Sequence, residues 1–289
     1  MKNTYFRTLN RTVGIIGAGR LGGCLAKRLS DTGNSVKFVA SLDKERAEYI
    51  AKMVNAKIVD PPYLELSNAE LVFLTVQDQA IEAVAKTLAD ANIDWRGKHI
   101  CHCSGAYTSE IINPFKTRGA KILAFHPLQT FTLKVEPEKL QNIYYALEGD
   151  DLDYGCSLAA SLGGKVIIIR PEHRALYHAS ACAASNYLYA LLMAAAEMMQ
   201  NTGASRKEAL DCLMPLVMGT ISNIQEYASF DGLTGPIARA DTATIEKHLS
   251  ALGKYPRLLR VYQALGIYLA RNVKLEQKEK EKIVQLLNL

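Results

Sequence analysis

Residues 17–22 carry the spacing Gly-x-Gly-x-x-Gly between a predicted strand and a predicted helix. Glycines at these positions allow a tight turn and let backbone N–H groups approach a pyrophosphate, which the positive end of the helix stabilises. The alternative is a glycine-rich turn that binds nothing. Because the loop follows β-rich residues 13–16 and opens a helix reaching Leu29, a dinucleotide site is favoured. The candidate cofactor-binding residues here are Gly17, Gly19, Arg20, Leu21 and Gly22.

The end of the second predicted strand, residues 35–40, indicates which dinucleotide would bind. NAD-binding domains usually place Asp or Glu there to hold the ribose hydroxyls, whereas this chain has Ser41 followed by Leu42. The Ser41 hydroxyl and two cations, Lys44 and Arg46, could receive a 2′-phosphate, although Asp43 is near enough to compete. The sequence therefore favours NADP(H) over NAD(H). The alternative is that both cations are ordinary solvated helix charges.

A later strand end should border the same cofactor. Ligands of open α/β sheets collect at the carboxyl ends of strands, and Val76 and Gln77 close the predicted strand 71–76. We therefore count both as cofactor-binding candidates. Asp78 is predicted to cap the helix that follows, because carboxylates are preferred at that position.

Small residues follow the next predicted strand, where the nicotinamide half of a dinucleotide would lie. Ser104 could hydrogen-bond a substrate carboxylate or carbonyl, and Gly105 would let the ring approach. The preceding Cys101, His102 and Cys103 are types that ligate metals. Side-chain alternation in a strand turns the histidine away from both thiols, and no second cluster completes a ligand set, so we expect no metal.

Histidines are the candidate proton donors. His126 ends a predicted strand and could protonate a carbonyl oxygen during hydride transfer; the equal alternative is an imidazole that satisfies backbone groups. A long apolar helix carries His178, Cys182, Ser185 and Asn186, which at about 100° per residue share one sector about 80° wide. Because buried polar groups need partners, we interpret this sector as facing a ligand. The candidate catalytic residues are Ser104, His126, His178 and Asn186.

Another polar cluster lies further along the chain. Arg239 could hold a substrate carboxylate or a cofactor phosphate through its planar guanidinium. Asp241 is predicted to cap a helix, and His248 on that helix could face either the site or a neighbouring helix. The candidate substrate-binding residues are Ser104, Gly105, Asn186 and Arg239.

Strands alternate with helices in the first part of the chain, which predicts βαβ units and a parallel sheet. After Pro171 helical segments follow without a convincing strand. We therefore predict an α/β protein: a Rossmann-type, mostly parallel sheet domain over residues 1–170, then a smaller all-helical domain over residues 171–289. Polar side chains interrupt the apolar run 176–193, which predicts a buried helix and not a membrane span.

Composition argues against several classes of function. The net charge is +5 at pH 7, and no run of five or more like charges concentrates it, so nucleic-acid binding is not expected. The 6 cysteines include no Cys-x-x-Cys pair. With no apolar signal segment recognised, this favours reduced thiols and a cytoplasmic location. A small-molecule substrate is the expected partner.

Together these motifs resemble a family of Rossmann-like proteins that carry a C-terminal domain of unknown function and are often provisionally named NADP oxidoreductases. The resemblance covers nearly the whole chain. It rests on residues 17–22, 102–106, 126–129, 184–186 and 234–236, with Arg239, Asp241, Thr244 and His248. The chain departs from the family at Ala240, where glycine is usual, and at Leu42, where arginine often follows the serine.

More distantly, the architecture is similar to ketopantoate reductase, β-hydroxyacid dehydrogenases and pyrroline-5-carboxylate reductase, with a second domain like the C-terminal domain of 6-phosphogluconate dehydrogenase. The resemblance implies a homodimer through the helical domain and a substrate held between the domains. In the first two families a lysine four residues before an asparagine usually donates the proton. Asn186 matches that asparagine, but Cys182 stands at the lysine position. The donor would then be His126 or His178.

The leading hypothesis is an NADPH-dependent oxidoreductase that reduces a small 2-oxo acid resembling ketopantoate. Ser104 and Asn186 would orient the substrate, and Arg239 would hold a carboxylate. Two alternatives stay open. One is an imine reductase of the pyrroline-5-carboxylate type, and the other is a protein that binds NADP(H) and responds to it without turnover.

Overall fold

The computed structural model describes residues 9–288. The chain divides into two compact units, one ending at Cys182 and the other covering Ala183–Leu289. The first unit therefore extends past residue 170, the predicted boundary. It does so because the helix after Pro171 contributes a buried side chain, Arg174, to the end of the sheet.

The first unit is built on an eight-stranded sheet. Its strands are β1 (Thr12–Ile16), β2 (Ser35–Ala40), β3 (Lys57–Ile58), β4 (Leu71–Leu74), β5 (His99–His102), β6 (Lys121–Pro127), β7 (Tyr144–Gly149) and β8 (Lys165–Ile168). Its helices are α1 (Arg20–Asp31), α2 (Lys44–Val54), α3 (Ile81–Ala89), α4 (Asn113–Lys116), α5 (Leu152–Ser161) and α6 (Arg174–Cys182). The strand order is β3-β2-β1-β4-β5-β6-β7-β8. Every neighbouring pair is parallel except β6 and β7, which confirms the mostly parallel sheet.

Both faces of the sheet are covered, and this explains its sequence pattern. All four residues of β4 are buried and apolar, as expected for a strand packed on both sides. One core cluster packs α1 against the sheet through Leu25 and Leu29, and the other packs Trp95 and Phe115. The strand order reverses between β1 and β4. In such sheets ligands bind at the carboxyl ends of the strands next to this reversal.

The second unit contains helices and, within its described residues, no strand, as predicted for this domain. Its helices are α7 (Leu188–Gln200), α8 (Arg206–Tyr227), α9 (Thr242–Leu252), α10 (Pro256–Asn272) and α11 (Gln277–Leu287). Its core is small, with Ile237, Ile245, Val273 and Ile283 among the buried residues. All six cysteines of the chain are free thiols, and the cytoplasmic location stays a prediction.

The helical run Pro171–Gln200 differs from expectation in two ways. Its length and apolar composition suit a membrane span, yet only 6% of its most apolar window is buried within the chain. The prediction of a buried helix is therefore wrong for the single chain, because hydropathy does not reveal which surface covers an apolar face. A π-turn at Ala183–Tyr187 also interrupts the uniform rotation of about 100° per residue on which the predicted polar sector rested.

Candidate functional site

The three glycines of the loop at residues 17–22 are required for different reasons. Gly17 has a φ of +107°, and a β-carbon there would lie 2.6 Å from the carbonyl carbon of Thr75. A β-carbon on Gly22 would lie 1.9 Å from the Gly17 oxygen, so only glycine allows this approach. A β-carbon on Gly19 would meet nothing within 4 Å. The packing of the fold thus explains the first and third glycines but not the second.

The start of α1 has the chemistry of an anion site. Gly19 is the N-cap and makes no side-chain cap hydrogen bond, and the first turn contains no acidic residue. The first N–H groups of a helix lack intrahelical acceptors and carry partial positive charge. Arg20 is exposed and Leu21 is half-buried. The residues present therefore fit a dinucleotide pyrophosphate, which would lie in the open space in front of Gly19.

The end of β2 leaves one cation accessible. Asp43 caps α2, since its carboxylate accepts a hydrogen bond of 2.9 Å from the Arg46 backbone N–H, so the nearest carboxylate is already engaged. Lys44 is largely exposed, and its Nζ lies 3.6 Å from the Asp60 carboxylate. Ser41 is half-buried beside it. Ser41 and Lys44 can therefore meet a 2′-phosphate without breaking a buried contact.

The Arg46 side chain makes structural hydrogen bonds that the sequence did not indicate. Its Nε donates to the Ala18 carbonyl at 3.2 Å, and its Nη2 donates to the Leu133 carbonyl at 2.6 Å. The segment it reaches also contacts α1, because the Glu136 backbone N–H lies 3.3 Å from Cys24 Sγ. Arg46 thus ties the glycine-rich loop to the connection between β6 and β7.

The carboxyl end of β4 borders the glycine-rich loop. Val76 is half-buried and Gln77 is exposed there. Asp78 does not cap α3, which has no side-chain cap hydrogen bond. Its carboxylate instead accepts a hydrogen bond of 2.8 Å from the Ser104 hydroxyl. The cap prediction is wrong because a partner distant in sequence takes the carboxylate.

The loop after β5 is held by its own polar groups. The Ser104 hydroxyl donates to Asp78 and accepts a hydrogen bond of 3.1 Å from the Ala106 backbone N–H. The Ser104 backbone N–H donates to His102 Nδ1 at 3.2 Å, and His102 Nε2 donates to the Thr108 carbonyl at 3.0 Å. Burial lowers the pKa of His102 to about 3, so this imidazole is neutral. Substrate contact by Ser104 stays a prediction, since its hydroxyl proton is already shared.

Two imidazoles converge on Gly105. A β-carbon there would lie 2.9 Å from His126 Nε2 and 2.7 Å from His178 Cδ2, so glycine is needed for both rings to approach the loop. The ring centres of the two histidines are 6.4 Å apart. His126 Nδ1 lies 2.7 Å from the Tyr177 hydroxyl, and His178 Nε2 lies 3.9 Å from Cys182 Sγ. The first unit therefore brings together Gly105, His126 and His178.

Arg174 belongs to this cluster and was missed by the sequence reasoning. It is 1% exposed, and its Nη2 donates to the Ser104 carbonyl at 2.7 Å. The guanidinium carbon lies 5.6 Å from the centre of the Tyr177 ring. Arg174, Tyr177 and His178 follow the i, i+3, i+4 spacing of one helix face. The sequence did offer one signal for Arg174: it is a cation in the first turn of a helix, where the helix dipole disfavours positive charge.

The protonation state of His126 changes its predicted role. Burial, with the Arg174 cation and His178 adding to it, lowers the pKa of His126 to about 4. The imidazole is therefore neutral at pH 7 and is not an imidazolium donor. A neutral imidazole carries one N–H, so it can release a proton only if its other nitrogen is protonated at the same time.

The remaining candidates belong to the second unit. Asn186 is exposed within the π-turn, and Arg239 is exposed ahead of α9. His248 faces a neighbouring helix, because its Nδ1 lies 2.8 Å from the hydroxyl of Tyr262 on α10. Substrate contact by Asn186 and Arg239 stays a prediction.

The turn before α9 accounts for one departure from the family pattern. Ala240 has a φ of +53°, in the left-handed region that glycine adopts without steric cost. This is the position at which the resembling family usually has glycine. Asp241 caps α9, and its carboxylate accepts a hydrogen bond of 3.0 Å from the Thr244 backbone N–H. The cap prediction for Asp241 is confirmed.

Two family models together match most of the chain. A Rossmann-like domain matches residues 2–127, and a domain of unknown function, DUF2520, matches residues 143–269. The chain therefore combines a Rossmann-like domain with a DUF2520 domain. This confirms the resemblance found in the motifs, and the DUF2520 match begins within the sheet, at β7.

Solved structures share the fold over nearly the full length. A Bacteroides fragilis protein, provisionally named an NADP oxidoreductase, has 23% identity and a TM-score of 0.75, covering 90% of this chain and 98% of its own. Pyrroline-5-carboxylate reductase from Streptococcus pyogenes has 18% identity and a TM-score of 0.62, covering 95% and 98%. The Aspergillus terreus reductive aminase, solved with NADPH and ethyl levulinate, has 17% identity and a TM-score of 0.69, covering 96% and 99%. No curated protein matches the chain in sequence.

Proposed function

We propose that this DUF2520 protein is an oxidoreductase that binds NADPH at the glycine-rich loop and reduces a small carbonyl or imine compound. The observation that carries the proposal is the start of α1, where Gly19 leaves open space and the N-cap lacks a side-chain hydrogen bond. The names of the similar solved structures support it, since they include an NADP oxidoreductase and an NADPH-bound reductive aminase.

Bound NADPH supplies a hydride, and the chain must supply orientation and a proton. His126 lies near the carboxyl end of β6, and Gly105 follows β5. Both are at the same end of the sheet as the glycine-rich loop, because β5 and β6 run parallel to β1. We place the reacting substrate carbon near this cluster. Asn186 and Arg239 are the proposed substrate-orienting residues.

Two substrate classes are proposed. A small 2-oxo acid resembling ketopantoate follows from the sequence motifs. A cyclic imine is favoured by a specific observation, namely that the similar structures include pyrroline-5-carboxylate reductase and reductive aminase. Both classes accept a hydride at carbon and a proton at oxygen or nitrogen, so one proton-donating cluster would serve either.

The test is NADPH oxidation by the purified protein with a panel of 2-oxo acids and cyclic imines. We expect turnover with at least one compound, and its class decides between the two substrates. NADPH binding without turnover across the whole panel would contradict the reductase and support the non-catalytic binding protein. Failure to bind NADPH or NADH at millimolar concentration would contradict both the reductase and the non-catalytic binding protein.

Lys44 and Arg46 are expected to affect cofactor binding differently. Lys44→Met should lower NADPH affinity about fivefold and leave NADH affinity unchanged, because an exposed ion pair is worth up to about 1 kcal/mol. Arg46→Met should lower both affinities by the same factor, because this side chain holds the loop and not the phosphate. Calorimetry with the two cofactors measures this. An Arg46 variant that loses only NADPH affinity would assign the 2′-phosphate to Arg46.

The helical unit is proposed to form a homodimer. Tyr189 on α7 is 72% exposed, and Leu188 and Leu191 beside it are also exposed. Exposed apolar faces of this kind mark interaction surfaces, and a second copy is the proposed cover. Tyr189→Glu should halve the mass measured by light scattering, because it places a charge in that interface. A monomeric wild-type protein would contradict the dimer.

A further inference from the structure

The Tyr177 hydroxyl lies where it could donate a proton to the neutral His126 imidazole. Its hydroxyl is 2.7 Å from His126 Nδ1, and the other ring nitrogen, Nε2, is directed to the loop at Gly105. The imidazole therefore has one nitrogen against a phenol and the other at the carboxyl ends of β5 and β6, where the proposed substrate lies.

Arg174 favours the Tyr177 hydroxyl as the donor in this pair. Its guanidinium lies over the Tyr177 ring at 5.6 Å, and a cation this close favours loss of the phenolic proton. Burial raises the pKa of Tyr177 to about 12, and Arg174 acts against that rise. We therefore assign the phenol as the donor and His126 Nδ1 as the acceptor, which leaves the imidazole proton on Nε2.

The charge of Arg174 is only partly balanced. It is 1% exposed, and its Nε and Nη1 have no hydrogen-bond partner among the described residues, although the buried Glu148 carboxylate acts favourably on it. A partly compensated buried charge is costly. A negative charge that forms transiently on Tyr177 would offset this cost.

We propose that Tyr177 and His126 form a proton relay that serves the proposed reductase. His126 Nε2 releases its proton to the substrate oxygen or nitrogen as hydride arrives at carbon. In the same step the Tyr177 hydroxyl protonates Nδ1, and the resulting phenolate is stabilised by Arg174. Protonation of the phenolate from water, with return of the imidazole proton to Nε2, restores the starting state.

The relay has a spectroscopic test that needs no substrate. Nitrogen NMR of the full-length protein, with the His126 signals assigned by their loss in His126→Gln, reports which ring nitrogen carries the proton. We expect Nε2–H in the wild type, and a shifted Nδ1 signal in Tyr177→Phe because its hydrogen bond is lost. A wild-type imidazole protonated at Nδ1 would overturn the relay.

Kinetics with the compound identified in the panel test the same step. Tyr177→Phe should lower kcat about 10- to 100-fold, as expected for partial loss of proton transfer, while the Kd for NADPH changes less than twofold. Tyr145→Phe is the matched control, because it also loses one buried phenol hydrogen bond, of 2.7 Å to the Leu140 carbonyl, and should keep kcat. An unchanged kcat in Tyr177→Phe would overturn the relay. Absence of turnover in the wild type contradicts the proposed function instead, and the tautomer measurement still decides the relay.

Discussion

Gly19→Ala is expected to weaken NADPH binding about 10- to 100-fold without lowering the melting temperature. The added methyl group would meet no protein atom within 4 Å, and Gly19 has an ordinary φ of −69°, so the fold tolerates it. The methyl would occupy the space through which phosphate reaches the helix N–H groups. Loss of one such charge-assisted hydrogen bond costs about 1.5–3 kcal/mol. Calorimetry and thermal unfolding measure the two quantities.

Two other glycines act as controls for this substitution. Gly219 also has open space at its β-carbon position, and it lies in α8 of the second unit, so Gly219→Ala should keep NADPH affinity. Gly22→Ala should lower stability as well as binding, because its β-carbon would collide with the Gly17 carbonyl. Wild-type affinity in Gly19→Ala would show that pyrophosphate does not bind at this turn.

His126→Gln is expected to have the largest effect on turnover, lowering kcat about 10²- to 10⁴-fold, the range for loss of general acid catalysis. The Kd for NADPH should stay within twofold, because His126 is not part of the glycine-rich loop. His99→Gln is the matched control. His99 begins β5 at the opposite end of the sheet and pairs with Asp151 at 3.0 Å, so its loss should change stability and not kcat.

The His126→Gln substitution should also change how the free energy of unfolding depends on pH. The pKa of His126 is lowered to about 4 from 6.5, so between these values the unfolded chain binds the proton more readily. Stability should therefore rise with pH through this window, be fully present above pH 6.5, and be lost as pH falls towards 4. Urea unfolding of His126→Gln should show a smaller loss between pH 6.5 and 4 than the wild type. An identical pH dependence would contradict the neutral state assigned to this imidazole.

Much of the fold followed from local sequence pattern. The strand predicted at residues 35–40 matches β2 (Ser35–Ala40), because a short apolar run between a turn and a charged helix has few other stable conformations. The edge strand β3 was not foreseen, since Lys57–Ile58 is too short to show a pattern. The antiparallel pairing of β6 and β7 could also not be predicted from the sequence, because strand direction depends on how the connection crosses the sheet.

Local residue patterns were enough to predict the glycine-rich loop, the alternation of the longer strands with helices in the first unit, and the helical second unit. Each depends on residues within a few positions of one another. Tertiary structure alone decided that Asp78 pairs with Ser104, that Arg46 ties two loops, and that Arg174 lies buried against a carbonyl 70 residues away. These contacts join distant parts of the chain, and their partners are chosen by packing and desolvation, which leave no periodic trace in the sequence.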